Sequence, residues 1–277
     1  MCFSPKQIFP FMLKYSRSVY KIALFDIICY QRYFIIFALF IVDNTMVITY
    51  YCITTLFIIA YLLGSIPSAV WIGKKYYSID VREHGSHNAG TTNVLRVLGK
   101  RAAIPVFVID FIKGFVAVSI ISLLKYDTFI ADHPWWLTNL KIIAVFIAVL
   151  GHIFPIFAKF KGGKGVATLI GAITGIQPNI ALFCFGIWVI VLIIWHYVSL
   201  ASMIAGCCFP IFVIIFSGSM YSSYGDASIS FIIFSIVVAV LLLWTHRKNI
   251  SRLKNGTESK TFIWRKDDQL PNSNKPN

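Results

Sequence analysis

Acidic side chains are scarce in this chain. Its 277 residues hold 11 Asp and Glu against 25 Lys and Arg, and charged residues of either sign make up only 13%. Apolar residues make up 58%. Several apolar runs reach the ~20 residues needed to cross ~30 Å of hydrocarbon, which excludes a soluble domain. A disulfide framework is also missing. The six cysteines, Cys2, Cys29, Cys52, Cys184, Cys207 and Cys208, lie in or near apolar stretches without ligand spacing. They read as small packing residues, and no metal site is expected. No small-residue cleavage site follows the apolar run Phe34–Val42, so residues 1–45 do not read as a signal peptide. Two readings of that stretch stay open: a dispensable extension ahead of a start at Met46, or an extra anchoring helix around 22–42.

What charge there is falls in clusters. Of the 25 Lys and Arg, 17 lie in segments 74–101, 159–164 and 247–275. The positive-inside rule puts these on the cytoplasmic face, and the excess of positive charge suits anionic lipid or an anionic substrate. Between them run the candidate spans Val47–Ile72, Ala102–Leu124, Ile142–Phe157, Met203–Phe216 and Ser228–Leu243. Val166–Gly175 is too short to span, and Pro178–Trp195 is nearly long enough. The pair reads as a hairpin that dips into the membrane and returns. The expected architecture is an all-α polytopic membrane bundle of about seven membrane helices, some short, with one more if residues 1–45 form a helix. The expected divisions are an extension at 1–45, a membrane domain at 46–264 and a polar tail at 265–277.

The chemistry-bearing residues sit in three polar islands. The central one, Lys159–Thr168, carries three lysines and three glycines between apolar runs. Bare N–H groups of Gly162 and Gly163 beside Lys164 would cradle an anion, and a helix from Val166 would add its N-terminus. The bland reading is a basic loop that only fixes orientation. The first island, Lys74–Arg101, contains the stretch Asp80–Arg96 with Ser86, Asn88, Gly90 and Thr92. Gly85 and Gly90 have P-loop spacing, but Thr91 stands where the lysine belongs and no strand precedes, which excludes a nucleotide-binding P-loop. A phosphate or substrate-hydroxyl site is the sharper reading and a solvated loop the blander one. In the third island, His246, Asn249 and Leu253 share a face if the stretch is helical, with Arg252 beside them. Arg247 and Lys248 alone would suit anionic lipid. Asp110 and Lys113, three apart within a span, read as a structural ion pair. Ser202 reads as either packing or a hydroxyl contact.

These pieces, in this order, resemble the bacterial acyl-phosphate:glycerol-3-phosphate acyltransferases, the PlsY family. The matching stretches are Gly64-Ser65-Ile66-Pro67, Gly85–Asn93, Gly151–Thr168, Tyr197–Ser202 and His246–Leu253 with Gly256-Thr257-Glu258. His87 and His196 depart from the family pattern, where glycine and arginine are expected. The resemblance implies transfer of a fatty acyl group from acyl phosphate to the 1-hydroxyl of sn-glycerol 3-phosphate at a bacterial inner membrane, with the site facing the cytoplasm. It implies Arg96, Lys164, His246 and Asn249 as catalytic residues. Ser86, Asn88, Gly90, Thr92, Gly162, Gly163 and Ser202 would bind substrate. No cofactor, metal or nucleic acid is expected. The expected partners are the two substrates, the bilayer and a soluble enzyme that makes acyl phosphate. A transporter of phosphorylated solutes is the rival. It would place its site near the midplane of repeated halves, whereas these islands cluster at one face and no repeat is visible. No histidine has an aspartate five residues later, so the His-x-x-x-x-Asp signature of other membrane acyltransferases is absent. The proton acceptor is either His246 or the leaving phosphate.

Overall fold

The computed structural model describes residues 46–216 and 227–261, so the two flanking segments 1–45 and 265–277 lie outside the described residues. The chain divides into two units, Met1–Tyr51 and Cys52–Asn277. Of the first unit only residues 46–51 are described, and they are helical. The described residues of the second unit form helices joined by loops, without a strand.

The second unit opens with α1 (52–64) and α2 (Ser68–Tyr77), broken at Pro67. Proline has no N–H to donate and breaks the helix, and carbonyls left free at such a break in a membrane need new partners. Lys113 supplies one for this break, donating from Nζ to the Ile66 carbonyl at 2.7 Å. One short helix, α3 (Thr91–Leu98), and then the long α4 (Lys100–Ser119) follow the break in hydropathy. After a one-turn α5 (Thr128–Ala131), α6 (Pro134–Ile153) runs back. The lysine loop then enters α7 (Val166–Thr174), and α8 (Pro178–Trp195) and α9 (Val198–Ile215) follow. The last long helix, α10 (Ala227–Thr245), bends by 57° at His246 into α11 (Arg247–Lys254).

Among the described residues, five helical stretches are long and apolar enough to cross a membrane, and a sixth qualifies if the bent pair counts as one. The protein is therefore an all-helical, multi-pass membrane protein. The expected count of about seven includes the short α7, which does not span.

Lipid tails are as apolar as leucine, so burial of apolar area does not drive these helices together. Close packing does. Helices α4 and α7 meet backbone to backbone: a side chain at Gly114 would strike the Thr168 carbonyl, and one at Gly171 the Phe111 carbonyl. Toward the other helices the core is aromatic. Phe209, Phe231 and Phe234 interlock at centroid distances of 5.7–6.0 Å, and Phe146 meets Phe234 edge-on at 5.1 Å. Beneath the future site lies a buried polar knot. Asp110 accepts from Ser68 Oγ and Lys113 Nζ, both at 2.7 Å, and His152 Nδ1 lies 3.1 Å from Thr168 Oγ1. The Asp110–Lys113 pair is thus real, and it ties α2, α4, α6 and α7 together.

Candidate active site

The three islands converge on one cavity of about 660 Å³. Each reaches it through local chemistry that can be followed residue by residue.

In the first island, Asn93 is buried and makes four bonds. Its Oδ1 accepts from Ser86 N at 2.7 Å and Ser86 Oγ at 3.1 Å, and its Nδ2 donates to the carbonyls of Val81 and His84 at 2.7 and 3.0 Å. An amide has these two donors and two acceptor sites to give. Asn93 spends them folding the loop back, which brings Ser86, Asn88 and Gly90 to the cavity wall. Helix α3 then starts at Thr91 without a side-chain cap, so its first N–H groups have no intrahelical partner. Thr92 and, one turn on, Arg96 line the same cavity. Thr91 lines it too, and its buried hydroxyl has no hydrogen-bond partner.

In the second island, Lys164 enters the cavity and Gly165 precedes α7, whose first-turn residues Val166 and Ala167 also line it. Gly162 and Gly163 do not. Their N–H groups donate to the carbonyls of Ile153 and His152 at 3.1 and 3.2 Å. The expectation of bare N–H groups at these two glycines is corrected: they close the turn onto the end of α6. Gly163 is needed for close approach, because a Cβ there would strike the His152 ring. The open N–H groups belong instead to the first turn of α7.

The third island supplies His246 at the bend and Asn249 one turn into α11. His246 Nδ1 lies 2.9 Å from the Leu242 carbonyl. A carbonyl can only accept, so Nδ1 carries the proton and Nε2 is left for a ligand. Asn249 Oδ1 accepts from Lys164 Nζ. The same amide donates from Nδ2 to Glu258 Oε1 at 2.7 Å, Ser199 Oγ donates to that oxygen at 2.8 Å, and Arg252 Nε donates to Oε2 at 2.6 Å. Glu258 is the residue the sequence reading left without a role. One of few acids, set in a basic segment within a matching stretch, it was the available signal. Ser202 lines the cavity from α9. Its hydroxyl donates to Val198 O at 2.8 Å and accepts from Trp188 Nε1 at 3.2 Å.

Electrostatics follow from this crowding. Burial, then the positive charge of Arg252 and of Arg96, hold Lys164 down to about 8, with Glu258 pulling the other way. Burial alone would raise Glu258, but the bonds from Arg252, Asn249 and Ser199 outweigh it and hold the carboxyl below its ordinary value. Phe107, Ile170, Phe185, Trp188 and Leu192 give the same cavity an apolar lining. Of the two departures, His87 lines the cavity at φ 56°, while His196 ends α8 at φ 62° and takes the Thr261 N–H on its carbonyl at 2.6 Å.

A multi-pass helical membrane protein with a cation-lined cavity that is polar and apolar at once is the class that fold and site define. Comparison with known proteins narrows it. The glycerol-3-phosphate acyltransferase family model matches residues 54–256, and the chain belongs to that family. The glycerol-3-phosphate acyltransferase of Streptococcus pneumoniae (strain Hungary19A-6) is 44% identical over 206 residues, covering 74% of this chain and 91% of that protein. The one from Chlorobaculum tepidum is 39% identical over 224 residues, covering 76% and 97%. Among solved structures, PlsY, an integral membrane glycerol 3-phosphate acyltransferase, is similar in its glycerol 3-phosphate form. The TM-score is 0.63 at 36% identity, over 76% of this chain and 96% of that one. Its lysophosphatidic acid form gives 0.60 at 36% identity.

Proposed function

We propose that this protein transfers a fatty acyl group from acyl phosphate to the 1-hydroxyl of sn-glycerol 3-phosphate, releasing 1-acylglycerol 3-phosphate and phosphate. The supporting observation is the single cavity in which Arg96, Lys164 and His246 stand with hydroxyls and open N–H groups beside an apolar lining. Both substrates carry a phosphate, and one carries a chain that must stay among apolar side chains. The family membership supports the acceptor. A relative solved in glycerol 3-phosphate and lysophosphatidic acid forms supports acceptor and product. The proposal extends to the donor, the site roles, the placement of activity in residues 46–264 and the inner-membrane location.

Arg96 and Lys164 hold phosphate charge, and His246, with its proton on Nδ1, presents Nε2 to the acceptor hydroxyl. Thr91, Thr92 and Ser86, at the uncapped start of α3, receive the acyl phosphate. Asn249 and Ser202 orient the glycerol end. The 1-hydroxyl oxygen attacks the acyl carbonyl carbon, a C–O bond forms, and the bond from carbonyl carbon to phosphate oxygen breaks. The departing phosphate takes the hydroxyl proton, or His246 Nε2 does so first. An acyl phosphate is already activated, so orientation and stabilisation of developing charge carry the rate. A nucleophile at Ser86 or Ser202 is disfavoured by geometry: their hydroxyls donate to Asn93 and Val198, not to a base.

The test is purified protein with labelled glycerol 3-phosphate and, in turn, acyl phosphate, acyl-CoA and acyl carrier protein, with no phosphate-exchange enzyme present. Product is expected from acyl phosphate alone. Equal initial rates with acyl-CoA would overturn the donor assignment.

A further inference from the structure

We propose that Arg82, which does not line the cavity, is the positioning residue that sets Lys164 in it, by clamping the lysine loop onto the loop that carries Ser86. The inference rests on the reading of Lys164 as a phosphate ligand. It deepens that reading by adding a residue that acts only through Lys164.

The geometry is a fork with one free prong. Arg82 Nε and Nη2 pair with the two oxygens of Asp80 at 2.9 and 2.7 Å. Asp80 also accepts the backbone N–H of Arg82 at 3.1 Å and lies 3.2 Å from Lys74 Nζ. A guanidinium held by two parallel bonds has a fixed direction. Its remaining nitrogen, Nη1, crosses to the lysine loop, donating to the carbonyl of Ala158 at 2.9 Å and, more weakly, to that of Lys161 at 3.4 Å.

Those two carbonyls bracket the one consecutive pair of left-handed non-glycine residues among the described residues. Lys159 and Phe160 are consecutive, neither is glycine, and both are left-handed, at φ 55° and 58°. Such a pair is costly and persists only where the surroundings hold it. The turn reverses the chain after Pro155 and lays Gly162 and Gly163 along the end of α6. Lys164 is the next residue, so its place in the cavity depends on the turn. The main chain of Arg82 grips the other side. Its carbonyl accepts from His87 Nδ1 at 3.1 Å, and His87, itself at φ 56°, adjoins Ser86. One residue thus holds both loops in register, with its side chain on one and its backbone on the other.

Arg82→Lys tests this, because an ammonium keeps the charge but loses the fork. Three results are expected. Trypsin cuts the folded variant at Lys159 or Lys161 faster than the wild-type protein. At saturating substrates kcat falls by roughly 10- to 100-fold, as misplacing a charge by about an ångström does. Added to Lys164→Ala, the substitution causes no further loss, since its target is already gone. A general folding defect would instead multiply the two losses. Unchanged trypsin cleavage, wild-type kcat or multiplying losses would each overturn the inference. Near-normal turnover of Lys164→Ala alone would overturn the reading beneath it, and the inference with it. An inactive Lys164→Ala beside a fully active Arg82→Lys would overturn the inference only. If Arg82→Lys fails to insert, Asp80→Asn frees the fork without removing it. A smaller loss, again absent in the Lys164→Ala background, is then expected, and full activity overturns the proposal.

Discussion

At the scale of single residues, the site is a contest between cations and one carboxylate. Lys164 is held to about 8 by burial and by Arg252 and Arg96, so its ammonium is present below that pH and lost above it. The ratio kcat/KM reports the free enzyme. It is expected to fall as pH rises past about 8. A bound phosphate favours the ammonium, so kcat should hold to higher pH. Glu258→Gln removes the attraction that works in favour of the charge and should move the alkaline limb to lower pH. It also releases the amide of Asn249, because a carboxylate can only accept and so fixes which end faces Lys164. A pH profile of kcat/KM for wild type and variant checks both; a limb that stays put or moves upward contradicts the arrangement. Lys164→Ala and Arg96→Ala should each cost on the order of 3 kcal/mol, ~100-fold in kcat. Near-normal rates in both would remove them from the site. Ser86, Arg96, Lys164, His246 and Asn249 lie in the polar islands that the sequence marks, and they line one cavity; their roles came from the family resemblance. Glu258 was not legible, because its meaning lies in three partners drawn from two helices, Ser199 on α9 and Asn249 and Arg252 on α11.

At the scale of elements, apolar length made the long helices readable. The helix start at Val166 and the break between α7 and α8 followed from punctuation by glycine and proline. The direction of N–H groups did not follow. A glycine-rich loop permits a cradle and a tight turn equally, and only the distances from Gly162 and Gly163 to the end of α6 decide for the turn. Helix packing was equally hidden, since a glycine in an apolar run looks the same whether or not a neighbour touches it. Gly171 and Gly186 separate the two cases. An added Cβ at Gly171 meets the Phe111 backbone, which cannot swing aside, whereas at Gly186 nothing lies within 4 Å. Gly171→Ala should therefore force α7 from α4 and destabilise the protein by roughly 1–3 kcal/mol. Turnover should fall with it, because α7 opens at the cavity. Gly186→Ala should be neutral or slightly stabilising. Thermal unfolding in detergent, with activity beside it, distinguishes them; equal behaviour of the two variants would mean that α4 and α7 are not in backbone contact.

At the scale of the whole molecule, the ends of the helices differ in charge, and that difference predicts orientation. Helices α4 and α6 have 20 residues each. At 1.5 Å per residue that is about 30 Å, one hydrocarbon thickness. Their cavity ends adjoin Lys100, Arg101, Lys159, Lys161 and Lys164. Their far ends are joined by residues 120–133, which carry Lys125 but also Asp127 and Asp132. That far connection bears the marks of an interface. Trp135 and Trp136 stack at 5.0 Å, and Lys125 lies 4.8 Å over the Tyr126 ring. Basic residues favour the cytoplasmic side, and aromatic rings settle at the headgroups. The cavity should then open to the cytoplasm, which is also where two phosphorylated substrates unable to cross the bilayer would be met. A single cysteine placed at Asp132 in an otherwise cysteine-free protein should react with an impermeant thiol reagent in intact cells. One at Lys254, at the end of α11, should react only after the membrane is opened. The reverse pattern would put the cavity outside. It would then require either exported substrates or a different reaction, and the acyl-phosphate reading would fall with the topology.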